Sequence, residues 1–157
     1  MTHLSLAASV TFPLTLLAAA RSDWRALQIP NRLILLALAG FPPVAMLESF
    51  TAAEWLGHLS AALVLFAAGA GLFALELWGG GDAKLLPAVA LWLGWAALPR
   101  FLLVMSMTGC ALSLLALAMR AVPAGRKHLL AAGRIPYGVA IAVAGLDWWL
   151  AAIFQPM

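Results

Sequence analysis

The chain has 157 residues, 65% of them hydrophobic and only 10% charged, with a mean hydropathy of +1.02. A soluble domain carries about 25% charged residues, so this composition excludes an ordinary water-soluble fold and reads as a membrane protein with nearly all its mass in the bilayer. The net charge of +3 comes from nine basic residues scattered over short connections, with no basic patch interleaved with aromatics. That pattern points to membrane topology and excludes a nucleic-acid partner.

The segments can be read in chain order. Leu4 to Ala20 is an apolar run of 17 residues, at the short end for a spanning helix. No Lys or Arg precedes it in Met1-Thr2-His3, while Arg21 and Arg25 follow it. This charge order argues against a secretory signal peptide and for an N-terminus outside. Arg21 to Arg32 reads as a polar loop holding Asp23. In it Pro30 biases Ile29 away from helix, and Asn31 is expected to cap the next helix. Leu33 to Leu47 is the second span, with Pro42 and Pro43 expected to kink or end it.

Glu48 to Glu54 connects to a third span, Leu56 to Trp78, whose Gly57, Gly69 and Gly71 offer small surfaces for close packing. Glu76 falls in its last turn. Gly79-Gly80-Gly81-Asp82-Ala83-Lys84-Leu85 follows. Three glycines permit tight backbone approach, and a carboxylate at the end of a membrane-length segment is a functional-site hypothesis by default. The plainer reading is a loop whose Asp82 caps the next helix. Leu85 to Leu98 is short for a span and reads as a tilted, bilayer-thinning or re-entrant helix. Pro99-Arg100 is expected to be a turn, and Phe101 to Met119 the fifth span. Arg120 to Arg134 is the longest polar segment, and Ile135-Pro136-Tyr137-Gly138 opens a sixth span ending near Phe154.

The expectation is therefore an all-α, polytopic membrane helix bundle of about six transmembrane helices with its N-terminus outside. This arrangement puts Arg21, Arg25, Arg32, Lys84, Arg120, Arg126, Lys127 and Arg134 inside and only Arg100 outside, a strong positive-inside pattern. It also puts Asp23 and Asp82 on the same, cytoplasmic, face. Paired carboxylates are what aspartyl proteolysis needs. One, deprotonated, takes a proton from water; the other, protonated, polarises the scissile carbonyl and donates to the leaving amine. Proximity and partial burial let such a pair share one proton.

Asp23 followed by Ile29-Pro30-Asn31, and then Gly79-x-Gly81-Asp82-x-Lys84-Leu85, resembles the prepilin peptidases, polytopic aspartyl proteases of the GxGD type. The short length and Ile135-Pro136-Tyr137-Gly138 resemble the small TadV/CpaA-like subgroup that serves Flp pili. The resemblance implies a bacterial inner-membrane peptidase cutting prepilins at the cytoplasmic face, between a basic leader and a hydrophobic helix. Asp23 and Asp82 would be its catalytic pair, with neither metal nor organic cofactor. It implies one integral-membrane peptidase domain over residues 1–157. The paired-cysteine region of the large bifunctional relatives is absent, so peptidase activity without N-methylation is expected. The Tyr-Asp and Pro-Ala-Leu motifs of presenilin-type proteases are absent, which makes that relation more distant.

Around the pair, Gly79, Gly80 and Gly81 would let a substrate backbone approach Asp82, and Pro30 and Asn31 would shape the loop that carries Asp23. Lys84 has two readings, as a cation lowering a nearby carboxyl or as a headgroup-facing lysine. Arg21, Arg25 and Arg32 read as topology anchors, and Glu76 as a contact for the basic leader or a solvated helix end. Asp147 reads as interfacial and Cys110, the single cysteine, as a small packing residue. One cysteine allows no intrachain disulfide or Cys-x-x-Cys knuckle. His3, His58 and His128 lack zinc-site spacing. Ser5, Ser9, Ser60, Ser106 and Ser113 lack a nearby base, and the glycine run lacks P-loop spacing.

Two other classes compete. An ion- or proton-coupled transporter using Asp23 and Asp82 would place charges near the midplane and show an internal repeat. Neither feature is present in the sequence. A non-enzymatic scaffold would leave both aspartate motifs as coincidence.

Overall fold

The computed structural model describes residues 8–120 and 135–154. The expectations for His3, Ser5, Arg126, Lys127, His128 and Arg134 lie outside the described residues. Five helices follow in order: α1 (Thr11–Ala26), α2 (Asn31–Leu47), α3 (Ala52–Ala74), α4 (Gly80–Arg120) and α5 (Tyr137–Phe154). Among the described residues there is no strand. Three helices are long and apolar enough to cross a membrane: Ala52–Ala74, the α4 helix through Met119, and Tyr137–Phe154; Asn31–Leu47 is a shorter apolar helix.

α1 runs further than expected. The residues read as a loop continue the helix to Ala26, and Leu27 closes it in the left-handed conformation with its amide donating to the Asp23 carbonyl at 2.8 Å. Phe12, Leu16, Ala19 and Asp23 recur at helical spacing, so they share one face, and all four are buried. Asp23 is thus the polar end of an apolar stripe. Asn31 does not cap α2: the capping position is Pro30, extended at ψ 135° and without a side-chain cap, and Asn31 is the first helical residue. Pro42 and Pro43 lie inside α2, which continues to Leu47. α3 starts instead at a capping box, in which Thr51 and Glu54 satisfy each other's amides. It ends at Ala74, so Glu76 lies beyond the helix, exposed and at positive φ.

α4 corrects the expected turn at Pro99-Arg100. The helix breaks earlier, at Gly94, whose φ of 62° and ψ of −179° define a region open essentially to glycine alone. Pro99 and Arg100 stay helical. Neighbours along α5 give the direction of each segment. In the first segment, residues 80–93, Val89 lies near Gly145, while Asp82 starts the segment beside the start of α5. In the second, residues 95–120, Arg100 pairs with Asp147 and Gly109 packs on Tyr137. The two segments therefore run in opposite senses along α5, and the chain reverses at Gly94.

The break leaves backbone groups to be satisfied. The ring of His58 meets the Leu91 carbonyl at 2.8 Å through Nδ1, and Trp95 donates to the Ser60 hydroxyl. The first segment is the centre of the bundle. Its residues 85–94 are buried without interruption, as expected for a helix apolar on every face. α4 packs against α2, α3 and α5, and α1 packs against α2 and α5. Trp92 locks this core, stacking on Phe12 at 4.7 Å and donating to the Ala37 carbonyl.

Of the small residues in α3, only Gly69 makes the expected close contact: a Cβ there would lie 3.0 Å from the Ala83 carbonyl oxygen, whereas Gly57 and Gly71 face open space. Cys110, expected to be a small packing residue, is exposed. Asp147 accepts two hydrogen bonds from the Arg100 guanidinium, at 2.9 and 3.1 Å.

Candidate active site

Asp23 and Asp82 arrive at the same place from opposite chain directions. The first sits in the last turn of α1 and the second in the first turn of α4, both at the end of the bundle where α2 and α5 begin. Asp82 leads a stripe with Leu85 and Val89, the counterpart of the α1 stripe ending in Asp23, and both apolar partners are fully buried. The two aspartates are the buried charged side chains of the described residues, 4% and 8% exposed.

One cavity of about 350 Å³ is lined by Asp23, Leu27, Gln28, Ile29, Asn31, Gly79, Gly80, Gly81, Asp82 and Lys84. Of the expected site residues, Asp23, Asn31, Gly79, Gly80, Gly81, Asp82 and Lys84 line it, and Pro30 does not. Lys84 Nζ donates to Asn31 Oδ1 at 3.3 Å, which ties the second motif to the first. Lys84 has an exposed ammonium, and its hydrogen-bond partner here is this amide oxygen.

The glycines act by what they leave out. Among the described glycines only Gly94 has positive φ, so Gly79, Gly80 and Gly81 are not needed for an unusual backbone conformation. A Cβ on Gly81 would lie 3.1 Å from Ile29 Cβ and 3.3 Å from its backbone nitrogen. One on Gly79 would lie 3.1 Å from Asp82 Oδ2, and one on Gly80 3.2 Å from the Phe73 ring. The glycine run therefore lets the Ile29-Pro30-Asn31 connection close against the start of α4.

α5 adds residues that the sequence reading did not assign to the site. The Gly138 amide donates to Asp23 Oδ2 at 2.7 Å, while the Val139 amide, bonded to the Pro136 carbonyl at 3.1 Å, also lies near Asp23. These are among the first amides of an 18-residue helix, which have no partner within the helix. Ile135-Pro136 marks in the sequence where this helix opens, but nothing in residue type marks its amides as donors to Asp23. Burial raises the Asp23 carboxyl above its ordinary value, and the amides of Gly138 and Val139 partly offset this. Asp82 Oδ1, by contrast, is buried without a hydrogen-bond partner. Among the described residues no cluster of three or more His, Cys, Asp or Glu side chains could hold a metal ion.

A second depression borders the first. A groove of about 560 Å³ between α2, α3 and the start of α4 shares Asn31 and Lys84 with the cavity and is otherwise apolar, lined by residues such as Ile34, Leu38, Leu59, Leu63 and Phe66.

Composition, helix length and helical architecture define a membrane protein of the all-α class. Residues 10–114 match the model of the type IV leader peptidase family, and the chain belongs to that family. The match includes both aspartate motifs and stops short of Gly138. Comparison with curated proteins and with solved structures gave no match.

Proposed function

We propose that the protein is a membrane aspartyl endopeptidase that removes the leader of type IV prepilins, with Asp23 and Asp82 as its general acid/base pair. The observation that carries this reading is the convergence of both motif carboxylates, buried, on one cavity at one end of the bundle. Two carboxylates in one low-dielectric site do not both ionise readily, so the pair holds one proton. The ionised member takes a proton from water as the water oxygen bonds to the carbonyl carbon, and the protonated member directs its hydrogen to the carbonyl oxygen. When the C–N bond breaks, the leaving nitrogen takes one proton from the pair, which is left with the single proton it began with.

The finer reading goes with this. The chain crosses a bacterial inner membrane six times, counting both segments of α4, with its N-terminus outside and the cavity at the cytoplasmic face. Arg21, Arg25, Arg32 and Lys84 at the cavity end, against Arg100 at the other, support that orientation. Residues 1–157 act as one peptidase domain without N-methyltransferase activity, and the substrates are prepilins of the Flp class. Gly79, Gly80, Gly81, Pro30, Asn31 and Lys84 form the walls that receive the substrate. The apolar groove beside the polar cavity suits a chain that changes from polar to apolar at its cut.

The test is a cleavage assay in liposomes, with a panel of Flp-class prepilins against wild type, Asp23→Asn and Asp82→Asn. Asparagine keeps the shape and removes the titrating carboxyl. The expected result is cutting by wild type and a loss of at least about a thousandfold in each folded variant, the scale of removing a proton-transfer group. A prepilin cut equally by all three proteins rules the dyad out.

A further inference from the structure

We infer that Gly138, at the start of α5, is a positioning residue that decides how the carboxyl pair divides its proton: its amide holds Asp23 as the ionised general base and leaves the proton on Asp82. The inference rests on the leader-peptidase reading and goes beyond it, since the motifs treat the two aspartates alike.

The asymmetry is geometric. Asp23 Oδ2 accepts the Gly138 amide at 2.7 Å; the Val139 amide lies nearby but bonds to the Pro136 carbonyl at 3.1 Å. Hydrogen bonds to a carboxylate favour its charged form, and the Gly138 amide lies at the positive end of an 18-residue helix. The Gly138 amide also lies near the Asp82 carboxyl, but its hydrogen bond goes to Asp23; Asp82 Oδ1 has no donor, and a buried carboxyl oxygen without a donor is a poor place for negative charge.

The fit at Gly138 is closed to any side chain. A Cβ there would lie 2.8 Å from Asp23 Oδ2 and 2.7 Å from Ile29 Cδ1. The helix start can reach the carboxylate only because this residue is glycine. Few other groups compete. The ionisable side chains lining the cavity are Asp23 from α1 and Asp82 and Lys84 from α4, and Lys84 is turned to Asn31 at the start of α2. From α5 the neighbouring ionisable group is Tyr137, whose ring lies against Trp78, and α3 contributes none to the cavity lining.

In the reaction, Asp23 takes the water proton while Asp82 directs its own to the carbonyl oxygen. When the C–N bond breaks, the nitrogen takes the proton from Asp23, and the proton on the carbonyl side returns to Asp82.

Two measurements test the assignment. The first is infrared spectroscopy of the protonated carboxyl C=O stretch, followed in each single variant as pH rises from the ordinary carboxylate range. The chain has only six Asp and Glu residues, so one buried protonated carboxyl is resolvable. The band should persist to higher pH in Asp23→Asn than in Asp82→Asn; an equal or reversed order overturns the assignment. This readout needs no activity. If no prepilin is cut even by wild type, the peptidase reading fails while the infrared result still locates the proton.

The second is the pH profile of kcat/KM for Gly138→Ala and Gly138→Pro. Both add a Cβ, but only proline lacks the amide hydrogen, and proline is tolerated in a helix's first turn. Losing the donor makes the base easier to protonate. The acid limb of the proline variant should therefore lie about one pH unit or more above that of the alanine variant. Coincident limbs overturn the role of Gly138. If either variant fails to fold, the infrared pattern still decides the proton assignment.

Discussion

At the residue scale, Asp23 joins stability to function. Burial raises its carboxyl, which means that the folded state binds a proton more readily than the unfolded chain does. Wild-type stability should therefore fall as pH rises from the ordinary carboxylate range through the raised value. Asp23→Asn removes the Asp23 part of this dependence, and its amide oxygen can still accept from Gly138. The expected result is an inactive variant whose thermal midpoint in detergent exceeds that of wild type at neutral pH, with the difference closing toward acid. An equal difference at all pH values would show that the gain does not come from the carboxyl. The motif was legible in the sequence at this scale, but Gly138 was not identified, because an amide donor leaves no trace in residue type.

At the scale of elements, glycines separate by what faces them. Gly57 and Gly71 face open space, while Gly69 presses on the Ala83 backbone beside Asp82. Helical Gly→Ala generally stabilises by about 0.5–1 kcal/mol. Gly57→Ala and Gly71→Ala should therefore raise stability by about that much, and Gly69→Ala should lower it. Unfolding titrations in mixed micelles would measure both signs. Gly94→Ala places an L residue at φ 62°, with its Cβ 2.9 Å from His58 Nε2. It should cost about 1–3 kcal/mol from the backbone alone. The apolar groove offers a functional counterpart. Leu63→Asn, on its wall, should raise KM for a prepilin roughly tenfold through lost apolar contact and leave kcat nearly unchanged. A change in kcat alone would count against substrate binding there.

At the scale of the whole molecule, the bundle gathers the ends of α1 and the starts of α2, α4 and α5 at one pole. In the proposed six-crossing orientation this pole is cytoplasmic. In a Cys110→Ser background, which removes the single and exposed cysteine, Arg25→Cys should react with an impermeant thiol reagent from the cytoplasmic side, and Ala53→Cys from the opposite side. Both sites are exposed. Labelling of both from one side would overturn the topology.

Much of this molecule follows from its residues alone. Apolar runs and the near absence of charge dictate a helical membrane protein, because backbone groups in hydrocarbon must be satisfied within the chain. The two aspartate motifs identify the family because each has a fixed internal spacing. Three features were decided only by tertiary structure. The reversal fell at Gly94, not at Pro99-Arg100, because a buried core helix needed its sharp turn where positive φ was available. Asp23 became the end of a helix, not part of a loop, because its stripe with Phe12, Leu16 and Ala19 had a core to face. Gly138 joined the carboxylates from a distant part of the chain because packing α5 against α1 brings its amide to Asp23, a contact that no local pattern encodes.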